Sequence, residues 1–275
     1  EEFLSRVLLD KEYKPDYNIG FPAKRITTQL EWEDMVLDYQ VATELEEINV
    51  WISSGKTVME DWGLSRILKA GYRSLFYGPP GTGKTLAATL LGKKNEMDVY
   101  RIDLSMIVSK YIGETEKNLA KVFDLAENRN WILFFDEADA LFGKRTSTNT
   151  SNDRHANQEV AYLLQRIEDF PGMVILATNL RSNIDEAFSR RFQSVVYFPM
   201  PTEEQRAELW RNMLPGKWLG KDAEELITMA AETELSGGAI TNVVRRCALR
   251  MIQSKKKQLD KVMLKEALQK EKIKS

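Results

Sequence analysis

The chain is 275 residues long, 43% hydrophobic and 29% charged, with a formal net charge of −2 and a single cysteine. Such a chain can bury a core and divide into two lobes, while its near-neutral charge argues against a broad nucleic-acid footprint. One cysteine excludes an intrachain disulfide and suits a reducing compartment; with no apolar run of bilayer length and no signal-peptide pattern, no membrane span is expected and the cytoplasm is the expected location.

Residues 1–28 place Pro15, Gly20 and Pro22 among polar residues and read as a linker or the end of a preceding domain. Beginning with Glu rather than Met, the chain is expected to be a fragment. Gln40–Trp51 follows with apolar residues at helical spacing, an amphipathic helix turned toward a core. Ser74–Tyr77 is apolar and aromatic enough for a buried strand, and Leu86–Leu91 has helical composition. Between them Gly78–Thr85 (GPPGTGKT) fits G-x-x-x-x-G-K-[ST] in the strand, loop and helix setting that the pattern requires. At ordinary residue usage a chain of this length contains the bare pattern by chance about once in a hundred tries. Pro80, Gly81, Thr82, Gly83, Lys84, Thr85 and Leu86 are the candidate phosphate contacts. Gly81 and Gly83 let the backbone approach without a Cβ, so that N–H groups and the helix N-terminus face the anion. Lys84 would reach the β- and γ-phosphates of a nucleoside triphosphate, and the Thr85 hydroxyl would ligate Mg²⁺.

Trp131–Phe135 is a continuous apolar run ending in Asp136 and Glu137, the pattern of a buried parallel strand that delivers two carboxylates at its C-terminal end. Beside a phosphate loop, Asp136 is the candidate to hold Mg²⁺ through its water shell. Glu137 is the candidate to orient and deprotonate the attacking water. Gly143–Asn152 is small and polar, as a loop would be, and Asp153–Ile167 has apolar residues at 160, 163, 164 and 167, the spacing of an amphipathic helix. His155, the only histidine, has no Cys or second His nearby and is not expected to hold a metal. Met173–Ala177 reads as a further strand, followed by Thr178 and Asn179, and Ser194–Phe198 as another. Pro199-Met200-Pro201 marks a domain boundary. Beyond it Thr202–Gln205 opens a helix with capping-box order, and Asp222–Thr233 and Ala239–Ser254 read as further helices. Cys247, within the last of these, is expected to be a packing residue. Residues 255–275, rich in lysine but mixed with Asp260, Glu266 and Glu271, read as a solvated helical face.

Taken in this order, the motifs resemble the AAA+ ATPases over roughly residues 30–255, closest to the classical AAA branch, whose members remodel or unfold proteins as ring hexamers. The stretch Asp153-Arg154-His155-Ala156-Asn157 is similar to one found in bacterial stand-alone AAA proteins. The resemblance implies an α/β fold: a P-loop NTPase parallel sheet sandwiched by helices, the AAA+ large domain, over residues 29–200, and a small α-helical lid domain over 201–275. It makes Asn179 the sensor 1 residue that helps position water, and it makes Arg190 and Arg191 arginine fingers that reach the ATP of a neighbouring subunit. From the residues alone these would be a turn residue and two surface arginines. The resemblance also implies that Tyr111, Ile112 and Gly113 form a pore loop gripping a protein substrate, against a plainer reading of Tyr111 as a helix-terminal residue packed on the core. Residues 143–152 would be a second pore-facing loop, with His155 at a subunit or loop contact.

Leu30–Tyr39 would line the adenine pocket, with backbone groups around Leu37 to Tyr39, Asp38 among them, reading the base edge. Gly238 and Ala239 would stand at the sensor 2 position, Ala239 replacing the usual Asp and leaving the local capping open. Arg245 and Arg246 are expected to face solvent or a neighbouring subunit. The implied activity is Mg²⁺-dependent hydrolysis of ATP to ADP and phosphate by a homo-oligomer, a hexamer, acting on a protein substrate. An ATP-dependent assembly switch without threading and a nucleic-acid-directed motor remain the alternatives, and the sequence offers little for the second.

Overall fold

The computed structural model describes residues 23–104, 114–127, 129–139, 151–179 and 186–274. Its centre is a six-stranded sheet formed by β1 (Ala23–Ile26), β2 (Tyr72–Tyr77), β3 (Asp98–Asp103), β4 (Trp131–Asp136), β5 (Met173–Thr178) and β6 (Ser194–Tyr197), in the order β1-β3-β4-β5-β2-β6. All pairings are parallel except that of β1 with β3. The sheet therefore begins inside the segment 1–28 that composition reads as a linker: Ala23 lies opposite Ile102 and Ile26 opposite Val99. β1 is an edge strand bearing Lys24 and Arg25, charges that discourage further edge pairing, and Arg25 is tied to Asp98 of β3 through Nε at 2.6 Å.

Helices cover both faces of this sheet. On one side lie α1 (Tyr39–Lys56) and α2 (Lys84–Lys94), on the other α3 (Glu114–Glu127) and α4 (Ser151–Asp169). The alternation along β4 records the sandwich directly. Leu133 and Phe135 join Val122, Phe123 and Leu163 in one core, whereas Ile132 and Phe134 join Leu45, Ile48, Ala87 and Leu91 in the other. A strand covered on both faces needs apolar residues at every position, which is why Trp131–Phe135 carries no polar interruption. β2, β4 and β5 lie side by side with their C-terminal ends together, the edge at which open α/β sheets hold their ligands.

A short helix, α5 (Glu186–Ser189), precedes β6, and after the two prolines the chain turns helical: α6 (Glu203–Met213), α7 (Ala223–Ala231), α8 (Gly237–Gln253) and α9 (Lys261–Lys272). These four share a core of their own around Trp210, Ile227, Val243, Cys247 and Leu264. The capping box that opens α6 is formed: the Thr202 hydroxyl accepts from Gln205 N and the Gln205 side chain accepts from Thr202 N. Arg206, only 8% exposed, donates to Pro201 O and Ala231 O at 2.7 Å each, fastening α6 to the end of α7. Burial pushes the Cys247 thiol up to about 11, as suits a packing residue. The lysine-rich end differs from the solvated face expected of it, because Met263, Leu264, Ala267 and Leu268 of α9 are buried against α8 while the lysines between them face outward. Among the described residues no helix is long and apolar enough to cross a membrane.

Candidate functional site

The phosphate loop follows from where β2 ends and α2 begins. Between Tyr77 and Lys84 the backbone must reverse within a few residues, and it does so through glycines at positive φ, +76° at Gly81 and +106° at Gly83. Gly81 also has no room for a side chain, since a Cβ there would stand 2.5 Å from the Ser236 hydroxyl of the C-terminal helices. In the same place Gly238 N donates to Gly81 O at 3.0 Å. The start of α8 is thus seated on the loop. Ser236 caps that helix by accepting from Ala239 N at 3.4 Å, which answers the question left by the missing Asp: capping comes from three residues upstream.

Lys84 is 8% exposed, and its Nζ donates to Gly78 O at 2.7 Å and Pro79 O at 2.9 Å. Burial pulls its ammonium down to about 8, against the opposing pull of the Asp136 and Asp139 carboxylates. Asp136 closes β4. One of its oxygens accepts from Glu137 N at 3.0 Å, and the other lies 2.9 Å from Arg101 Nε on the neighbouring strand. Glu137 has φ +53°, left-handed backbone that a non-glycine residue adopts at a cost of about 1–3 kcal/mol. Three hydrogen bonds hold that turn: Ala138 N donates to Ala177 O at 2.9 Å, and Asp139 Oδ1 accepts from the Thr178 hydroxyl and, at 3.3 Å, from Asn179 N.

These elements enclose a cavity of about 460 Å³. Its floor is Pro80–Leu86, one wall is Asp136, Glu137 and Asn179, and the opposite wall is Asp34–Asp38. The roof comes from Gln205, Leu209, Met213, Gly237, Gly238 and Thr241. Thr85 and Asp136 both line it, residues whose oxygens suit a hard cation such as Mg²⁺ when phosphate oxygens and water complete the shell. Among the described residues no cluster of three or more His, Cys, Asp or Glu is arranged to hold a metal unaided.

Residues 74–200 match the family model described as "ATPase family associated with various cellular activities (AAA)". Among curated proteins, the proteasome-activating nucleotidase of Archaeoglobus fulgidus is 36% identical over 60% of this chain and 43% of its own length, and mouse vacuolar protein sorting-associated protein 4B is 34% identical over 64% and 40%. Residues 74–200 belong to the AAA family of ATPases. A third match, cell division protein C of Sulfolobus acidocaldarius, is 42% identical over 49% of this chain and 38% of its own length. The AAA chain spans less than half the length of these relatives.

Of the site residues expected in this AAA chain, Pro80 to Leu86, Asp136, Glu137, Asn179, Asp38 and Gly238 line one cavity. Tyr39 does not: it is 86% exposed, while Asp38 caps α1 by accepting from Gln40 N at 2.8 Å. Ala239 likewise lies off the cavity lining, one residue beyond Gly238. Arg190 and Arg191 are exposed and stand outside the cavity of their own chain, and Arg191 Nη1 is paired with Glu168 at the end of α4. Arg246 approaches Glu271 of α9 to 3.9 Å rather than standing clear of the chain. Tyr111, Ile112 and Gly113 lie outside the described residues, as does the loop 143–150; His155 is on α4, its side chain outside what is described. Two residues at the site went unread in the sequence. Asp139 was legible in principle as the third carboxylate of a D-E-x-D order, whereas Arg101 had no local signal, since only strand register brings it beside Asp136.

Proposed function

We propose that this AAA chain hydrolyses ATP with Mg²⁺ at sites completed between subunits of a ring-shaped homo-oligomer, and that the ring uses the cycle to remodel or translocate a protein substrate. The observation that carries the reading is the convergence of Lys84, Asp136, Glu137 and Asn179 on one cavity at the C-terminal ends of three adjacent strands. In this reading the loop from Pro80 to Leu86 binds the phosphates, with Lys84 on the β- and γ-phosphates. Thr85 and Asp136 hold Mg²⁺, which neutralises charge on the transferring phosphoryl group. Glu137 takes the proton of the attacking water, and Asn179 orients that water. The stretch ending at Asp38 receives the base, and Gly238 covers the nucleotide. The large domain takes in β1, ahead of the expected start at residue 29, and runs to residue 200, with 201–275 as the lid, a division supported by their separate cores.

Arg190 and Arg191, outside their own chain's cavity, are assigned to the nucleotide of the next subunit. The names of two relatives, a proteasome-activating nucleotidase and a protein-sorting protein, favour a protein as the substrate, with Tyr111, Ile112 and Gly113 as the gripping loop. The test is the ATPase rate per subunit against protein concentration, with light scattering in Mg-ATP. A specific rate that climbs as a ring-sized species forms is expected. Arg190→Ala should abolish turnover alone and regain part of it when mixed with Glu137→Gln subunits, which still donate their own arginines. A flat rate from a monomer, or no recovery on mixing, overturns the assembly reading; stimulation by DNA or RNA rather than by an unfolded protein would favour the nucleic-acid alternative.

The depressed ammonium of Lys84 adds a pH signature. Its folded value of about 8 lies below the ordinary 10.5, so the charged form is disfavoured by burial and the resulting strain on the fold is relieved as pH rises from about 8 to 10.5. A bound triphosphate favours the charged form. ATP affinity measured by fluorescence titration is therefore expected to be flat below pH 8 and to fall by up to about tenfold per pH unit above it, with Lys84→Arg removing the fall.

A further inference from the structure

The register of β3 and β4 places Asp103 directly opposite Asp136 and Arg101 opposite Phe134. Ile132 and Phe134 face the core shared with α2, as does Val99 on β3, so alternation sets Arg101, Asp103 and Asp136 on the same face of the sheet, the face against which the phosphate-loop helix packs. Two carboxylates facing each other across neighbouring strands repel. Arg101 answers that repulsion, with its Nε 2.9 Å from Asp136 Oδ2, while Asp136 Oδ1 accepts from Glu137 N at 3.0 Å. Both oxygens of the carboxylate that lines the cavity are therefore engaged by the chain itself. Arg101 does not line the cavity and reaches it only through Asp136.

We infer that Arg101 is a positioning residue that holds Asp136 and sets the balance between metal-free and Mg²⁺-bound nucleotide at this site. The inference rests on the reading of Asp136 as the Mg²⁺ carboxylate. The Arg101 guanidinium is always charged; as an ion pair 2.9 Å from Asp136 Oδ2 it draws that carboxylate toward β3 and at the same time puts a positive charge next to the place where a dication must arrive. That charge favours the nucleotide anion and opposes the cation. The pair is 40% exposed on the arginine side and 19% on the aspartate side, so solvent screens the effect without removing it.

The consequence is a split that loss of packing would not produce. Fluorescent N-methylanthraniloyl-ATP is titrated into the chain in EDTA, and Mg²⁺ is then titrated at fixed nucleotide. Arg101→Met keeps the length of the side chain and deletes the charge. It is expected to weaken metal-free nucleotide binding by about threefold and to tighten the Mg²⁺ requirement to a concentration about fivefold lower, at low ionic strength. Arg101→Lys restores the charge and should return both quantities to within about twofold of the parent chain. Shifts of the same sign in both titrations, no shift in either, or an Arg101→Lys chain that behaves as Arg101→Met overturns the inference. Asp136→Asn separates this from the underlying reading. If it leaves the Mg²⁺ response intact, Asp136 is not the metal carboxylate, and the assignment of the site falls together with the role of Arg101.

Discussion

Glu137→Gln is expected to lower the steady-state ATPase rate by about 10²- to 10⁴-fold while leaving nucleotide affinity within a few-fold of the parent chain. The substitution keeps the shape of the side chain and removes its capacity to take a proton. Glu137 lines the cavity beside Asp136, its backbone N–H engages Asp136, and its φ of +53° is held by the hydrogen bonds that flank it at Ala138 and Asp139. Gln tolerates the same backbone, so the turn and Asp136 stay in place and only the proposed proton transfer is lost. Single-turnover hydrolysis measured beside equilibrium ATP binding separates the two effects. A Glu137→Gln chain that still turns over at near the parent rate would remove Glu137 from the role of base and leave Asp139 as the next carboxylate to test.

The second large effect is structural. Gly78→Ala places a Cβ 2.1 Å from the backbone oxygen of Phe198 at a φ of +144°, where an L side chain is strained whatever the space. Neither partner can yield cheaply. Gly78 N donates to Thr178 O at 3.3 Å and Phe198 N donates to Tyr77 O at 2.8 Å, so both backbones belong to the sheet that carries the site. Backbone strain of about 1–3 kcal/mol together with overpacking of about 1–3 kcal/mol should lower the melting temperature by roughly 10 °C. Gly63→Ala is the control, because Gly63 has φ +68° with nothing within 4 Å of its Cβ position, so it carries the conformational part alone. Equal losses in the two variants would mean that the contact with Phe198 yields freely and that the entrance to the phosphate loop is not pinned as described.

How far the molecule could be read from its residues depended on whether the cause was local. Gly78–Thr85 was legible because each residue answers to its immediate neighbours, and Trp131–Phe135 because burial on both faces leaves an unbroken apolar run. Pro199 and Pro201 announced the change from strand to helix for the same reason, proline being unable to continue either kind of ladder. β1 was not legible: Ala-Lys-Arg-Ile is short and half charged, and only pairing with β3 makes it a strand. Helix α1 runs on to Lys56, past the expected end at Trp51, although Ser53, Ser54 and Gly55 are poor helix formers. The glycine-rich loop and the acidic pair, each legible in the sequence, line the same cavity. The wall from Asp34 to Asp38 was anticipated one residue too far along, at Tyr39, because which side of a chain faces a cavity is settled by packing rather than by order. Arg101 and Asp136 are distant in sequence, and no spacing rule joins them.

The hydrogen bond from Gly238 N to Gly81 O makes a mechanical coupling out of a single amide. It is worth about 1 kcal/mol, little enough to open and close within one catalytic turnover. Helix α8 extends from it for 17 residues, a rod of about 25 Å. A tilt of about 10° at the loop end carries the far end of such a rod through about 4 Å. A displacement too small to disturb the sheet at the loop thus becomes, at Gln253, a movement on the scale of a side chain, and it appears on a surface where Leu249 and Ile252 are already turned outward.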